Sequence, residues 1–254
     1  PWAEAGGAYT VSEGSSVTLD GSASMGFGSA LTYDWDLNGD GTFETQGATP
    51  TFSAEGLDGP SEAAVTLRVC VQERPVDCDM DTATITVENV APTVALSSAA
   101  TADEGSAYAL TLGAVTDPGD DTATGCMVHW GDGSSEACTP GSTLAHTYAD
   151  GPASRTITVD LADEDGVYPG AGSRGLTVEN VAPTVALSGA ASVEEGSAYV
   201  LTLGAVTEPG DDTLTGCTVN WGDGDSESCK PESTLTHTYA DGPASRTITV
   251  DLPD

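Results

Sequence analysis

A chain of 254 residues with 40 Asp and Glu against 6 Lys and Arg has a formal charge of −34, which excludes nucleic acid as a partner, because its phosphates would be repelled. No run of about 18 apolar residues occurs, so no direct membrane insertion is expected. The 38% of hydrophobic residues fall in short alternating runs, which favours packed strands over disorder. Such acidity suits either cation binding or solubility in a saline habitat, and it costs self-repulsion in the compact state. No basic segment followed by an apolar stretch marks a secretory signal, and Pro1 falls in mid-pattern, so any such signal is expected upstream.

Taken in chain order, Trp2 is expected in an edge strand. Residues 36–44 read Asp36-Leu37-Asn38-Gly39-Asp40-Gly41-Thr42-Phe43-Glu44. Oxygen donors at alternate positions ahead of a glycine match the first half of a calcium loop. Asp36, Asn38 and Asp40 are therefore expected to converge on Ca2+, with the Thr42 carbonyl and Glu44 beside them. The twelfth position is Gly47 rather than Glu, so another acid has to close the site, and a solvated turn is the alternative. Cys70 and Cys78 then pair across the loop between the last two strands of this first unit.

From residue 88 onward the chain repeats. Glu88-Asn89-Val90-Ala91-Pro92-Thr93-Val94-Ala95-Leu96-Ser97 recurs 91 residues later, from Glu179 to Ser188, and Cys126, Trp130, Cys138 and His146 recur as Cys217, Trp221, Cys229 and His237. Glu13-Gly14-Ser15 lies in the same frame as Glu104-Gly105-Ser106, which gives three units, 1–91, 92–182 and 183–254. In the second unit, alternating β-branched runs broken by Gly, Asp, Asn and Pro predict strands over 93–96, 108–112, 126–130, 144–148, 155–161 and 176–178. No apolar period of 3.6 residues predicts a helix. The third unit stops at the counterpart of Asp163 and is expected to lack its last strand, through truncation or through completion in trans by a strand from a neighbouring chain. The fold class is all-β: tandem immunoglobulin-like sandwiches arranged as beads on a string.

The six cysteines pair within units, Cys70 with Cys78, Cys126 with Cys138 and Cys217 with Cys229, as disulfides made in an oxidising, extracellular setting. His129, His146 and His237 are expected to pack or hydrogen-bond on strands rather than act as bases, and no nucleophile elbow, zinc motif or P-loop is present. No catalytic residue is expected.

Tyr33-Asp34-Trp35-Asp36-Leu37-Asn38-Gly39-Asp40-Gly41, Asn220-Trp221-Gly222-Asp223-Gly224 and His237-Thr238-Tyr239 resemble the signature of PKD (polycystic kidney disease) domains, and 163–166 resembles that family's acidic turn. The resemblance covers all three units. It implies seven-stranded sandwiches of the kind found in bacterial surface proteins and beside catalytic domains of secreted hydrolases, and it supplies no activity. Trp35, Trp130 and Trp221 are expected to fill the cores, with the Gly-Asp-Gly that follows providing positive φ for a tight hairpin.

In a sandwich of this type, Asp117, Asp120 and Asp121 and the 163–166 loop with Asp163 and Asp165 lie at the pole nearest the preceding module. The Gly-Asp-Gly turn and Asp150 lie at the opposite pole. End-to-end stacking would crowd these acids, and Asp211 and Asp212 at the next boundary, unless Ca2+ neutralises them. The function expected is a secreted or surface-attached structural or adhesive array, stiffened by Ca2+ and assembling into a fibre or sheath. Its partners would be other copies, neighbouring modules, or a surface protein or polysaccharide. The alternative is a substrate- or carbohydrate-binding accessory of a secreted hydrolase, which would need a row of exposed aromatics.

Overall fold

The computed structural model describes residues 1–254 and contains strands but no helix. In the first module, β1 (Tyr9–Ser12), β3 (Leu31–Asp36), β4 (Thr45–Gln46), β6 (Ser61–Val71) and β7 (Arg74–Glu88) form one sheet in the order β1-β7-β6-β3-β4. β2 (Ser16–Thr18) and β5 (Thr51–Ser53) pair as a second sheet. The second module packs the sheet β13-β10-β8 against β12-β11-β14-β15-β9. Its strands are β8 (Thr93–Ser97), β9 (Thr101–Asp103), β10 (Ala107–Thr116), β11 (Gly125–His129), β12 (Ser135–Ala137), β13 (Thr143–Thr147), β14 (Ala153–Ala162) and β15 (Val167–Glu179). The third module has β16 (Thr184–Gly189), β17 (Ala198–Thr207) and β20 (Thr234–Thr238) in one sheet. Its other sheet holds β18 (Thr218–Asn220), β19 (Ser226–Ser228) and β21 (Thr249–Asp251).

The period-2 pattern places the cores. Ile157, Val159 and Leu161 alternate along β14, are at most 1% exposed, and face Leu110, Leu112 and Trp130. Trp35, Trp130 and Trp221 are each at most 1% exposed. Their indole N–H groups donate to Gly47 O at 3.0 Å, Glu136 Oε1 at 3.1 Å and Glu227 Oε1 at 3.1 Å, so each core tryptophan keeps its polar atom satisfied. Gly131 holds φ +81°, and a Cβ there would meet the Thr156 carbonyl at 2.6 Å, so the turn after Trp130 requires glycine twice over. All three expected disulfides are present.

Strand boundaries depart from the sequence reading in three ways. β15 begins at Val167, well ahead of the run at 176–178, because its irregular Gly-rich half pairs with the end of β14 through a bulge at Val159/Leu161. β9 and β12 are too short and polar to show a pattern and exist only as partners of β15 and β11. Trp2 forms a single bridge to Met25, not a strand, and is 46% exposed.

The third module isolates the effect of strand pairing. Residues 153–161 and 244–252 are identical. The first stretch lies in a strand of 10 residues flanked by β11 and β15, whereas the second forms a strand of 3 paired to β18 alone. The fully buried core falls from 12 residues in the second module to 4 in the third. Ile157→Ala is therefore expected to remove roughly 2–5 kcal/mol from its module, and Ile248→Ala, at a partly buried position, distinctly less. Urea unfolding of the two variants side by side checks this.

Candidate metal centre

Glu13, in the turn after β1, is 1% exposed. Its carboxylate accepts from Gly59 N at 2.8 Å and from Val90 N at 2.7 Å, fixing an adjacent loop and the linker to the next module. Glu104 repeats this with Gly151 N at 2.6 Å and Val181 N at 2.8 Å, and Glu195 accepts from Gly242 N at 2.9 Å. A buried carboxylate is expensive unless it is satisfied, and these amides meet that need. Glu13 and Glu104 thereby set where the next module starts, whereas Glu195 is exposed and holds only its own loop.

The following module brings its own acids onto that glutamate. No side chain fits between the 117–121 loop and Glu13, because a Cβ on Gly119 would lie 2.7 Å from Glu13 Oε2. Gly210 stands in the same relation to Glu104. Asp211 N donates across the second junction to Ala149 O at 2.7 Å, and Asn89 Nδ2 donates across the first to Asp165 Oδ2 at 3.0 Å and to Tyr168. The two junctions are thus packed by backbone and amide contacts, and acids from both sides converge within them.

Glu13, Asp117 and Asp121 place carboxylate oxygens within 4.8 Å of one another, as do Asp58, Asp121 and Asp165 at the same junction and Glu104, Asp150 and Asp212 at the next. Asp163 is 7% exposed; its Oδ1 accepts from Asp165 N at 2.8 Å and Gly166 N at 3.0 Å. Buried carboxylate oxygens without any hydrogen-bond partner occur on Asp117, Asp121, Asp163, Glu208 and Asp212, and all five residues lie at the junctions. Burial, reinforced by Glu13, Asp117 and Asp58, pushes Asp121 up to about 7. Burial, with Glu104 next, pushes Asp212 up to about 6. Asp117 and Asp165 are raised by burial and by the surrounding carboxylates. A site of hard oxygen donors with mutual repulsion and unfilled lone pairs suits a Ca2+-like cation and offers no nitrogen or sulfur ligand for a softer metal.

The residues singled out from the sequence distribute unevenly over this geometry. Asp117, Asp121, Asp165 and Asp212 join the clusters, and Asp163 lies beside them. Asp120 and Asp211 are exposed and belong to none of them. At the distal pole the junction clusters take in Asp58 and Asp150; Asp132 joins no cluster, and Asp223 gathers with Asp225 and His237 in a separate, largely exposed group. In the 36–44 loop, Asp36, Asp40 and Glu44 gather within 4.8 Å, but Asp36 accepts from Gly39 N at 2.7 Å and Gly41 N at 2.9 Å. Asn38 Oδ1 accepts from Asp40 N at 3.0 Å, Asp40 Oδ1 accepts from Thr42 N at 2.7 Å, and the Thr42 bonds hold Asp40 low. That loop satisfies its own acids, whereas the junctions do not. Asp150 was expected at this pole, whereas Glu13, Glu104, Asp58 and Glu208 were not singled out from the sequence. The signal available was the recurrence of Glu-Gly-Ser and Asp-Gly-Pro at matching places in all three units.

The histidines are tied into strands. His146 Nε2 lies 2.7 Å from Asp132 Oδ2 and its ring stacks on Trp130 at 4.6 Å; His237 repeats this with Asp223 at 2.7 Å and Trp221 at 4.8 Å. Burial pushes Asp132 up, but hydrogen bonds from Ser134 and His146 outweigh it and hold Asp132 at about 2.

No family model matches the chain, and no curated protein matches its sequence. Among solved structures, the central fibronectin-III array of RIM-binding protein is similar at 12% identity and a TM-score of 0.25, over 94% of this chain and 87% of that one. A Salmonella alpha-2-macroglobulin variant is similar at 10% identity and a TM-score of 0.22, over 96% of this chain and 21% of that one.

Two outcomes are expected from the junction geometry. Gly105 and Gly196 hold φ of +66° and +72°, but a Cβ on Gly105 would collide with the Pro209 carbonyl while one on Gly196 meets nothing within 4 Å. Gly196→Ala should cost about 1–2 kcal/mol of backbone strain, and Gly105→Ala should cost that and also loosen the second junction, seen as a wider distance distribution in X-ray scattering. In chelator, Asp121 and Asp212 have folded pKa values above their ordinary 3.8, so the folded state binds protons that the unfolded state lacks between about pH 4 and 7. Stability of the cation-free chain should therefore rise as pH falls from 8 to 5. Acids held low, such as Asp132, withdraw stability only below about pH 4, outside that window. Melting scans at pH 5, 6, 7 and 8 read the sign.

Proposed function

We propose that this chain is a non-catalytic spacer segment of a secreted or surface-attached protein, a run of PKD-type sandwiches held in line by Ca2+ at the module junctions. The observation that carries the reading is the set of buried, unpartnered carboxylate oxygens contributed to one junction by loops of the following module, facing a buried glutamate of the preceding one. Without a cation these groups repel across the junction and work against the amide contacts that hold the linkers. With one, the same groups become ligands that bind two modules at once. Three disulfides suit an oxidising exterior. Neighbouring modules are the partners this geometry supports, and length by repetition, as in a stalk, fibre or sheath, is the property it provides. The exposed aromatics Trp2 and Phe27 lie in the first module and form no row along a sheet, which speaks against carbohydrate stacking as the main role.

The test is thermal unfolding and X-ray scattering of the whole chain under non-reducing conditions, in millimolar Ca2+ and in chelator. A cation that binds only the docked, folded form stabilises by about 2.7 kcal/mol at a hundredfold excess over its Kd. A higher Tm and a narrower distance distribution in Ca2+ are expected; identical melting and scattering in the two buffers would remove cation stiffening from the reading.

A further inference from the structure

The two junctions are not equivalent. At the second, one triad of carboxylates converges, from Glu104, Asp150 and Asp212. At the first there are two, Glu13 with Asp117 and Asp121, and Asp58 with Asp121 and Asp165. Asp121 belongs to both, and both of its oxygens are buried and without a hydrogen-bond partner. Its counterpart Asp212 has one such oxygen, Oδ2. A second observation at the first junction points to a ligand: Asp163, 7% exposed, keeps Oδ2 buried and unpartnered while its charge acts on Asp117 and Asp165, one from each triad.

We infer that the first junction is a binuclear divalent-cation centre in which the Asp121 carboxylate bridges the two ions, whereas the second junction takes a single ion; this rests on the junction reading above. The charges support two ions at the first site. Glu13, Asp58, Asp117, Asp121, Asp163 and Asp165 bring six carboxylates into one crowded region, and one divalent ion would leave most of that repulsion in place. Oxygen-only donors with carboxylates from separate loops suit the variable, high coordination number of Ca2+ better than the strict octahedron of Mg2+. Asp163 would close the space between the ions, with its other oxygen already held by the amides of its own turn.

Calcium stoichiometry of the full chain, by equilibrium dialysis in 0.15 M salt, tests this through differences between variants, so that any ion held in the 36–44 loop cancels. Asp121→Asn is expected to lose two bound ions relative to the parent chain, Asp165→Asn one and Asp212→Asn one. Loss of one ion or none in Asp121→Asn, with Asp212→Asn still losing one, would overturn the binuclear centre and leave the junction reading intact. No loss in any of the three would bring down both. Melting in chelator guards against misfolding: Asp121→Asn removes a repelled charge, so its Tm there should equal or exceed the parent's. A lower Tm with lost ions would assign the loss to unfolding and overturn the bridging role.

Discussion

The long strands that close the first two modules, β7 and β15, carry the rest of the structure. β7 and β15, of 15 and 13 residues, pair antiparallel with the strand before them along most of their length. Each also accepts a short strand in parallel on its other edge, β1 or β9, and that short strand delivers the buried Glu13 or Glu104. The same strand then runs into a linker whose valine amide bonds that glutamate. Closure of the sandwich and the start of the next module are therefore mechanically one event. The third module, where β21 has no such neighbour, loses the parallel strand, most of the preceding strand and two thirds of the buried core together.

Electrostatics at the junction work against this backbone frame. The hydrogen bonds from Gly59 and Val90 hold Glu13 in place whatever its neighbours do, and the glycines at 14 and 119 admit the next module so closely that its acids must face it. Carboxylates taken from water without a partner are costly, and like charges beside them add to the cost. The chain can relieve this with protons, which the raised values of Asp121 and Asp212 express, or with cations. On the proposed reading, the stiffness of such a run of modules would follow the ion content and acidity of its surroundings. The 36–44 loop is the useful contrast, because its acids point at their own backbone amides and stand in no such need.

Residues that invite a chemical reading are otherwise absorbed into packing. His146 and His237 are sandwiched between an aspartate and a tryptophan face, with Tyr148 and Tyr239 edge-on to them and bonded to the Trp130 and Trp221 carbonyls at 3.0 and 3.1 Å. That arrangement locks the Gly-Asp-Gly turn to the neighbouring sheet. It accounts for the recurrence of these polar residues in the second and third units.

Local pattern was enough for much of this. Alternation of apolar residues marked the inward faces of β10, β13 and β14, glycine and aspartate marked the turn after Trp130, and short cysteine spacings marked the three clamps. These features were legible because each depends on residues within about a dozen positions of one another. The length of β14 against β21, from identical residues, was not legible, because a strand extends only as far as a partner supplies hydrogen bonds. Nor was the part played by Glu13 and Asp58, which read as ordinary turn residues until stacking brings them against Asp117, Asp121 and Asp165 from the next module. Charge crowding is a property of distances across the junction, and only the tertiary structure sets those distances.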